Sequence, residues 1–90
     1  MTKAELVNNI AIQTGYDRVT IMNIVESAMF TVKKTMAEGQ NVYLRGFGSL
    51  VIKTRKEKVA RNIKSNTSLV VPEHRIPSFK ASPEFLNMMN

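Results

Sequence analysis

The sequence has no cysteine, one histidine and one aspartate among its 90 residues, and each shortage removes a class of chemistry. Without thiols there can be no disulfides, thiolate zinc sites, iron–sulfur clusters or cysteine nucleophiles, a usage that fits a reducing compartment. His74 and Asp17 are not laid out as parts of a Ser/His/Asp set, no carboxylate pair stands out, and one histidine with scattered acids gives no metal-ligand spacing. His74 therefore reads as a solvated or groove-facing residue, not a general base. Neither catalysis nor a cofactor nor a metal is expected. Long apolar runs are also missing. Nothing approaches the ~18 residues of a membrane span, and the N-terminus lacks the apolar stretch of a signal peptide, so the chain is expected in the cytoplasm, away from membranes.

Acidic residues are scarce too: 7 Asp+Glu stand against 13 Lys+Arg, for a net charge of +6. The excess is not spread evenly. Residues 1–42 are neutral, with Lys3, Arg18, Lys33 and Lys34 balanced by Glu5, Asp17, Glu26 and Glu38. Residues 43–80 carry Arg45, Lys53, Arg55, Lys56, Lys58, Arg61, Lys64, Arg75 and Lys80 against only Glu57 and Glu73. The last ten residues add Glu84 alone. A one-sided basic segment of this kind is the electrostatic footprint of a polyanion binder. At this length folding buries only about 60–65% of the surface of the unfolded chain, so a partner subunit is expected to complete the core.

Local signals predict an α+β domain of two N-terminal helices, a three-stranded antiparallel sheet and a short C-terminal helix. Thr2-Lys3-Ala4-Glu5 has capping-box spacing and starts a helix over about 3–14, with Gly15 to end it. Asp17 caps a second helix over about 18–38, closed at Gly39. At 100° per residue this helix places Ile21, Met22, Ile24, Val25, Ala28, Met29, Val32 and Met36 on one arc and Val19, Phe30 and Ala37 opposite Ile21. Two apolar stripes leave a ridge that either dimerisation or the terminal helix must cover. From Val42 the period becomes twofold: 42–45 and 49–53 read as strands joined by a Gly46-Phe47-Gly48 turn with Phe47 in the core, and Leu69 to Ile76 as a third strand broken at Pro72. Ser82-Pro83-Glu84 opens a helix over about 83–88.

Residues 53–64 alternate like a strand yet are mostly polar on both faces, so they are expected to project as a β-arm turning at Ser65-Asn66-Thr67. Such an arm reaches about 35 Å at ~3.3 Å per residue, more than a small domain needs for its own stability. The division expected is a helical dimerisation part (1–42), a sheet and arm that bind the polyanion (43–80) and the C-terminal helix (81–90). Gly46 and Gly48 bare the backbone beside Arg45 and Ser49, where N–H groups and a hydroxyl can approach phosphate oxygens. Ile63, beside Arg61-Asn62 near the arm's tip, has nothing in the chain to bury it. It either contacts a partner chain or acts as a wedge of the kind minor-groove proteins insert between base steps.

Gly46-Phe47-Gly48-Ser49 followed by a basic stretch, then Ala60-Arg61-Asn62 and Ile76-Pro77-Ser78-Phe79-Lys80, resemble the signature of the bacterial HU/IHF histone-like DNA-binding family, aligning without gaps over nearly all of the chain. The resemblance implies an intertwined homodimer or heterodimer whose two β-arms enter the minor groove of double-stranded DNA and bend it. It assigns phosphate contacts to Lys3, Gly46, Gly48, Ser49 and Lys80, and arm contacts to Lys53, Arg55, Lys58, Arg61, Asn62, Lys64 and Arg75. Two positions depart from the family pattern: Ile63 replaces its usual intercalating proline, and the last helix has Glu84 in place of lysines.

Three functions remain open at this stage. The preferred one is a nucleoid-associated protein that binds and compacts DNA with little sequence preference, distorted DNA or RNA included. The others are a sequence-selective bender resembling IHF and, from a different class, a dimeric scaffold for acidic proteins. Ile63→Ala is expected to reduce bending, measured by fluorescence energy transfer across a short duplex, more than it reduces affinity, because unstacking a base step costs a few kcal/mol that the wedge must supply. Unchanged bending would remove Ile63 from that role.

Overall fold

Capping chemistry sets both long helices. In the computed structural model of the chain, which describes residues 1–62 and 67–90, α1 spans Lys3–Thr14 and α2 spans Arg18–Ala37. Thr2 Oγ1 accepts the Glu5 N–H at 3.2 Å, and Gly15, in the left-handed conformation, returns its N–H to the Ala11 carbonyl at 2.9 Å. Asp17 Oδ1 accepts the N–H groups of Val19 and Thr20 at 3.0 and 3.2 Å, and its Oδ2 accepts the Thr20 hydroxyl. These bonds, the Thr20 hydroxyl first, hold the Asp17 carboxyl below its ordinary value near 3.8. The chain forms two compact units, residues 1–35 and 36–90, and α2 runs from the first into the second.

In the first unit Val7 and Ile21 are buried, and Val7 borders a hollow shared with Val19 and Met22. The predicted arc on α2 is narrower than expected. Ile21 and Met36 are buried and Met22, Val25 and Val32 half-buried, but Ile24, Ala28 and Met29 at its margins are exposed. On the opposite side Val19 is 71% and Phe30 63% exposed, so the chain leaves both stripes partly uncovered. Ninety residues supply too little apolar surface to bury everything they carry.

The second unit holds five strands and the last helix: β1 (Val42–Leu44), β2 (Gly48–Arg55), β3 (Lys58–Asn62), β4 (Thr67–Val71), β5 (His74–Ala81) and α3 (Pro83–Met89). β1, β2 and β5 form an antiparallel sheet in that order, and β3 and β4 a separate antiparallel ribbon. The expected third strand over Leu69–Ile76 is thus two strands. β4 stops at Val71 and β5 starts at His74, because Pro72 has no N–H to give to a ladder. Its counterpart, 53–64, likewise pauses at Lys56-Glu57 before β3. Pro77 lies inside β5 opposite Ile52, and the edge position of β5 tolerates it. Of the turn expected at the arm's end, Ser65 and Asn66 lie outside the described residues and Thr67 opens β4.

The turn between β1 and β2 is Arg45-Gly46-Phe47, one residue earlier than expected, and Gly48 belongs to β2. Phe47 N–H bonds to the Leu44 carbonyl at 2.9 Å, with Gly46 at φ 83° in the third position, where a type II turn requires positive φ. Phe47 is 49% exposed rather than a core residue, because its ring lies in an aromatic triad: it is 5.1 Å from the Phe79 ring and 5.4 Å from that of Phe85 on α3. Ser82 ties the triad together, its N–H bonded to the Phe47 carbonyl at 2.9 Å and its Oγ accepting the Phe85 N–H at 3.1 Å as the cap of α3. Gly48 is buried against these rings. A Cβ there would stand 2.5 Å from the Lys80 carbonyl oxygen and 2.6 Å from Cζ of Phe79.

Gly48→Ala is therefore expected to lower stability by about 1–3 kcal/mol through overpacking, read by urea unfolding. Asp17 generates a pH dependence. Because its folded value is depressed, its contribution is complete above the unfolded value and is lost as pH falls through the folded one. Thermal melts between about pH 5 and pH 2 should show the wild type losing more stability than Asp17→Asn, whose side chain does not titrate.

Candidate functional site

The turn, the end of β5 and the cap of α3 enclose an open concavity of about 320 Å³. Arg45, Gly46, Gly48, Ser49, Lys80 and Ser82 line it. Ser49 and Lys80 are directly opposite in the β2–β5 register, so a hydroxyl and an ammonium stand side by side. Gly46 has no side chain to screen its backbone, and Arg45 beside it is exposed. Two cations, hydroxyls and bare backbone around one hollow suit a phosphate oxyanion. The Glu84 carboxylate borders the hollow, 3.1 Å from where a Gly46 Cβ would sit, and tempers the positive potential there.

The structure thus gathers four of the five expected phosphate contacts, Gly46, Gly48, Ser49 and Lys80. Gly48 owes its identity first to packing, since it is buried under Phe79. The fifth, Lys3, lies in the first unit, where its ammonium pairs with Glu26. Both partners are about half exposed, and a pair so placed contributes at most about 1 kcal/mol, which leaves Lys3 exchangeable onto another anion. Arg45 lines the concavity but was absent from the expected contacts. Its position next to Gly46 is the signal that would have found it.

The arm cations divide by strand. Lys53 and Arg55 are exposed on β2, opposite Ile76 and His74, and Lys58 is exposed on β3 opposite Val71. Arg61 and Asn62 take the next register positions, opposite Ser68 and Thr67. Ile63 and Lys64 lie outside the described residues. Arg75 differs from the rest. Its Nη2 donates to the carbonyl of Ala37, the last residue of α2, at 3.4 Å, so it caps a helix C-terminus, where a cation is favourable.

The arm also departs from its polar reading. β4 contributes Leu69, Val70 and Val71, and with Val59 of β3 all are exposed. β3 and β4 pair with each other and make no contact of comparable extent with another described element. Among the described residues no group of three or more His, Asp or Glu is placed to hold a metal ion, and no helix is long and apolar enough to cross a membrane.

Comparison with known proteins agrees with this layout. A family model described as bacterial DNA-binding protein matches residues 1–90. Integration host factor subunit alpha of Anaeromyxobacter sp. (strain Fw109-5) is 27% identical over 90 residues, covering 100% of this chain and 91% of that protein. Integration host factor subunit alpha of Erythrobacter litoralis (strain HTCC2594) is 30% identical over 82 residues, covering 91% and 82%. Among solved structures, a cocrystal of Anabaena HU with DNA is similar with a TM-score of 0.93 at 30% identity, over 99% of this chain and 97% of that one.

Proposed function

We propose, since the chain belongs to the family of bacterial DNA-binding proteins that includes HU and IHF, that it is an architectural protein whose β-arm enters the minor groove of double-stranded DNA and bends it with little sequence preference. The observation that carries the reading is the Ser49–Lys80 pair at the mouth of the Gly46 concavity, on the same strands that carry Lys53 and Arg55 outward. Phosphates anchored there position the duplex, and the contacts carry no base information. Arm contacts fall to Lys53, Arg55, Lys58, Arg61, Asn62, Ile63 and Lys64, while Arg75 supports the base of the arm from the helix end.

The working form is a dimer. Exposed Val19, Ile24, Met29 and Phe30 supply the apolar surface that a second subunit, identical or related, would cover. Residues 1–42 serve dimerisation, 43–80 DNA binding, and 81–90 close the sheet end. The reading involves no catalysis and no cofactor, and it places the protein on the bacterial nucleoid in the cytoplasm.

Gel shifts of linear, nicked and four-way-junction DNA at two salt concentrations test it. With ~6–10 phosphates neutralised per dimer, log K should fall against log salt with a slope of about −5 to −9, at −0.9 per phosphate. Distorted DNA should bind more tightly than linear, because part of the bending energy is already spent. A nearly flat salt response would overturn the reading, and a pull-down of acidic proteins that survives nuclease would put the scaffold in its place.

A further inference from the structure

The two ladders share one register. Arg55 pairs with His74, and three residues further along each strand Lys58 pairs with Val71, so the pause at Lys56-Glu57 and Pro72-Glu73 removes equal lengths from both strands. Alternation therefore continues from sheet to ribbon, and each residue of the arm can be placed on one of two faces.

One face looks back at the protein. It holds Leu50 with Phe79, whose ring packs in the aromatic triad, and Thr54 with Arg75, whose guanidinium reaches the Ala37 carbonyl. The other holds Ser49 with Lys80, then Lys53, then Arg55 with His74. On the ribbon this second face continues as Val59 opposite Val70, 66% and 60% exposed. An apolar pair thus sits in line with a row of cations on a strand pair that has no core to join.

Resting on the DNA-binding reading above, we propose that this face lies against DNA and that Val59 and Val70 contact the deoxyribose walls of the minor groove. Charge complementarity identifies the occupant: Lys53, Arg55 and Lys80 on the same face meet phosphates, and the surface between phosphate rows in a minor groove is sugar C–H. Valine offers such a wall nothing polar to satisfy and no sequence to read. It also disfavours RNA, whose minor groove is wide and shallow and displays a 2′-hydroxyl that would lose water against the pair. Val59 and Val70 are on this account determinants of DNA over RNA, a property that phosphate attraction cannot supply.

The test compares two double variants in the full chain. Val59→Thr with Val70→Thr keeps the β-branched shape and removes the apolar contact; Leu69→Thr with Val71→Thr does the same on the opposite face. Affinity for a DNA duplex and for an RNA duplex of matching sequence is measured at several salt concentrations, with thermal melts to confirm an intact fold. The Val59/Val70 variant should bind DNA about tenfold more weakly with an unchanged salt slope, and its preference for DNA over RNA should shrink. The Leu69/Val71 variant should stay within about twofold of wild type. Equal losses from both variants, a larger loss from Leu69/Val71, or no loss from Val59/Val70 overturns the face assignment while the DNA-binding reading stands. Failure of the wild type to bind duplex DNA overturns both.

Discussion

The close approach of the Phe79 ring to the bare backbone of Gly48 is the constraint on which the functional end of the molecule depends. With no Cβ in the way, the ring settles over β2 and meets Phe47 from the turn and Phe85 from α3. Three aromatic side chains from three elements then hold the turn, the sheet end and the helix cap in one arrangement, and the concavity lined by Arg45, Ser49 and Lys80 is the outer surface of that arrangement. Offset and tilted ring pairs of this kind contribute about 0.5–1.5 kcal/mol each beyond the area they bury. In a chain with so little buried side-chain volume they are a large share of what fixes the site. The two glycines of the turn region are not interchangeable. Gly46 supplies a backbone conformation, whereas Gly48 supplies space.

Local rules made the helices and their ends legible. Thr2, Asp17 and Ser82 each cap through bonds that span two or three residues, and such short-range chemistry is visible in any sequence that contains it. The switch to a twofold period at Val42 and the one-sided charge of 43–80 were visible for the same reason. Charge and period are properties of a segment and need no knowledge of what it packs against.

Contacts that cross the chain were not legible. That Arg75 reaches Ala37 depends on β5 passing the end of α2, a separation of 38 residues that no local pattern encodes. That Phe47 is half exposed depends on where α3 docks. The break at Pro72 was visible, but not that an equal pause at Lys56-Glu57 would preserve the register, because nothing in that dipeptide forbids a strand. Reading 53–64 alone also hid the apolar character of the ribbon, which is contributed mainly by β4.

The same shortage of interior that exposes Phe30 and Val19 explains why the ribbon can be a binding device at all. Cross-strand pairs such as Val59–Val70 contribute about 0.2–1 kcal/mol each, while fixing each residue's backbone costs about 1–2 kcal/mol. A two-stranded ribbon that packs on nothing is marginal by that comparison. Its apolar residues then have more to gain from an external surface than from their own pairing, and its cations determine the sign of that surface. Selection for self-sufficiency would have placed a helix over Leu69 or Val70. Their exposure, in line with basic residues that begin at the Gly46 concavity, is what a chain gains by leaving part of its folding free energy to be supplied by the ligand.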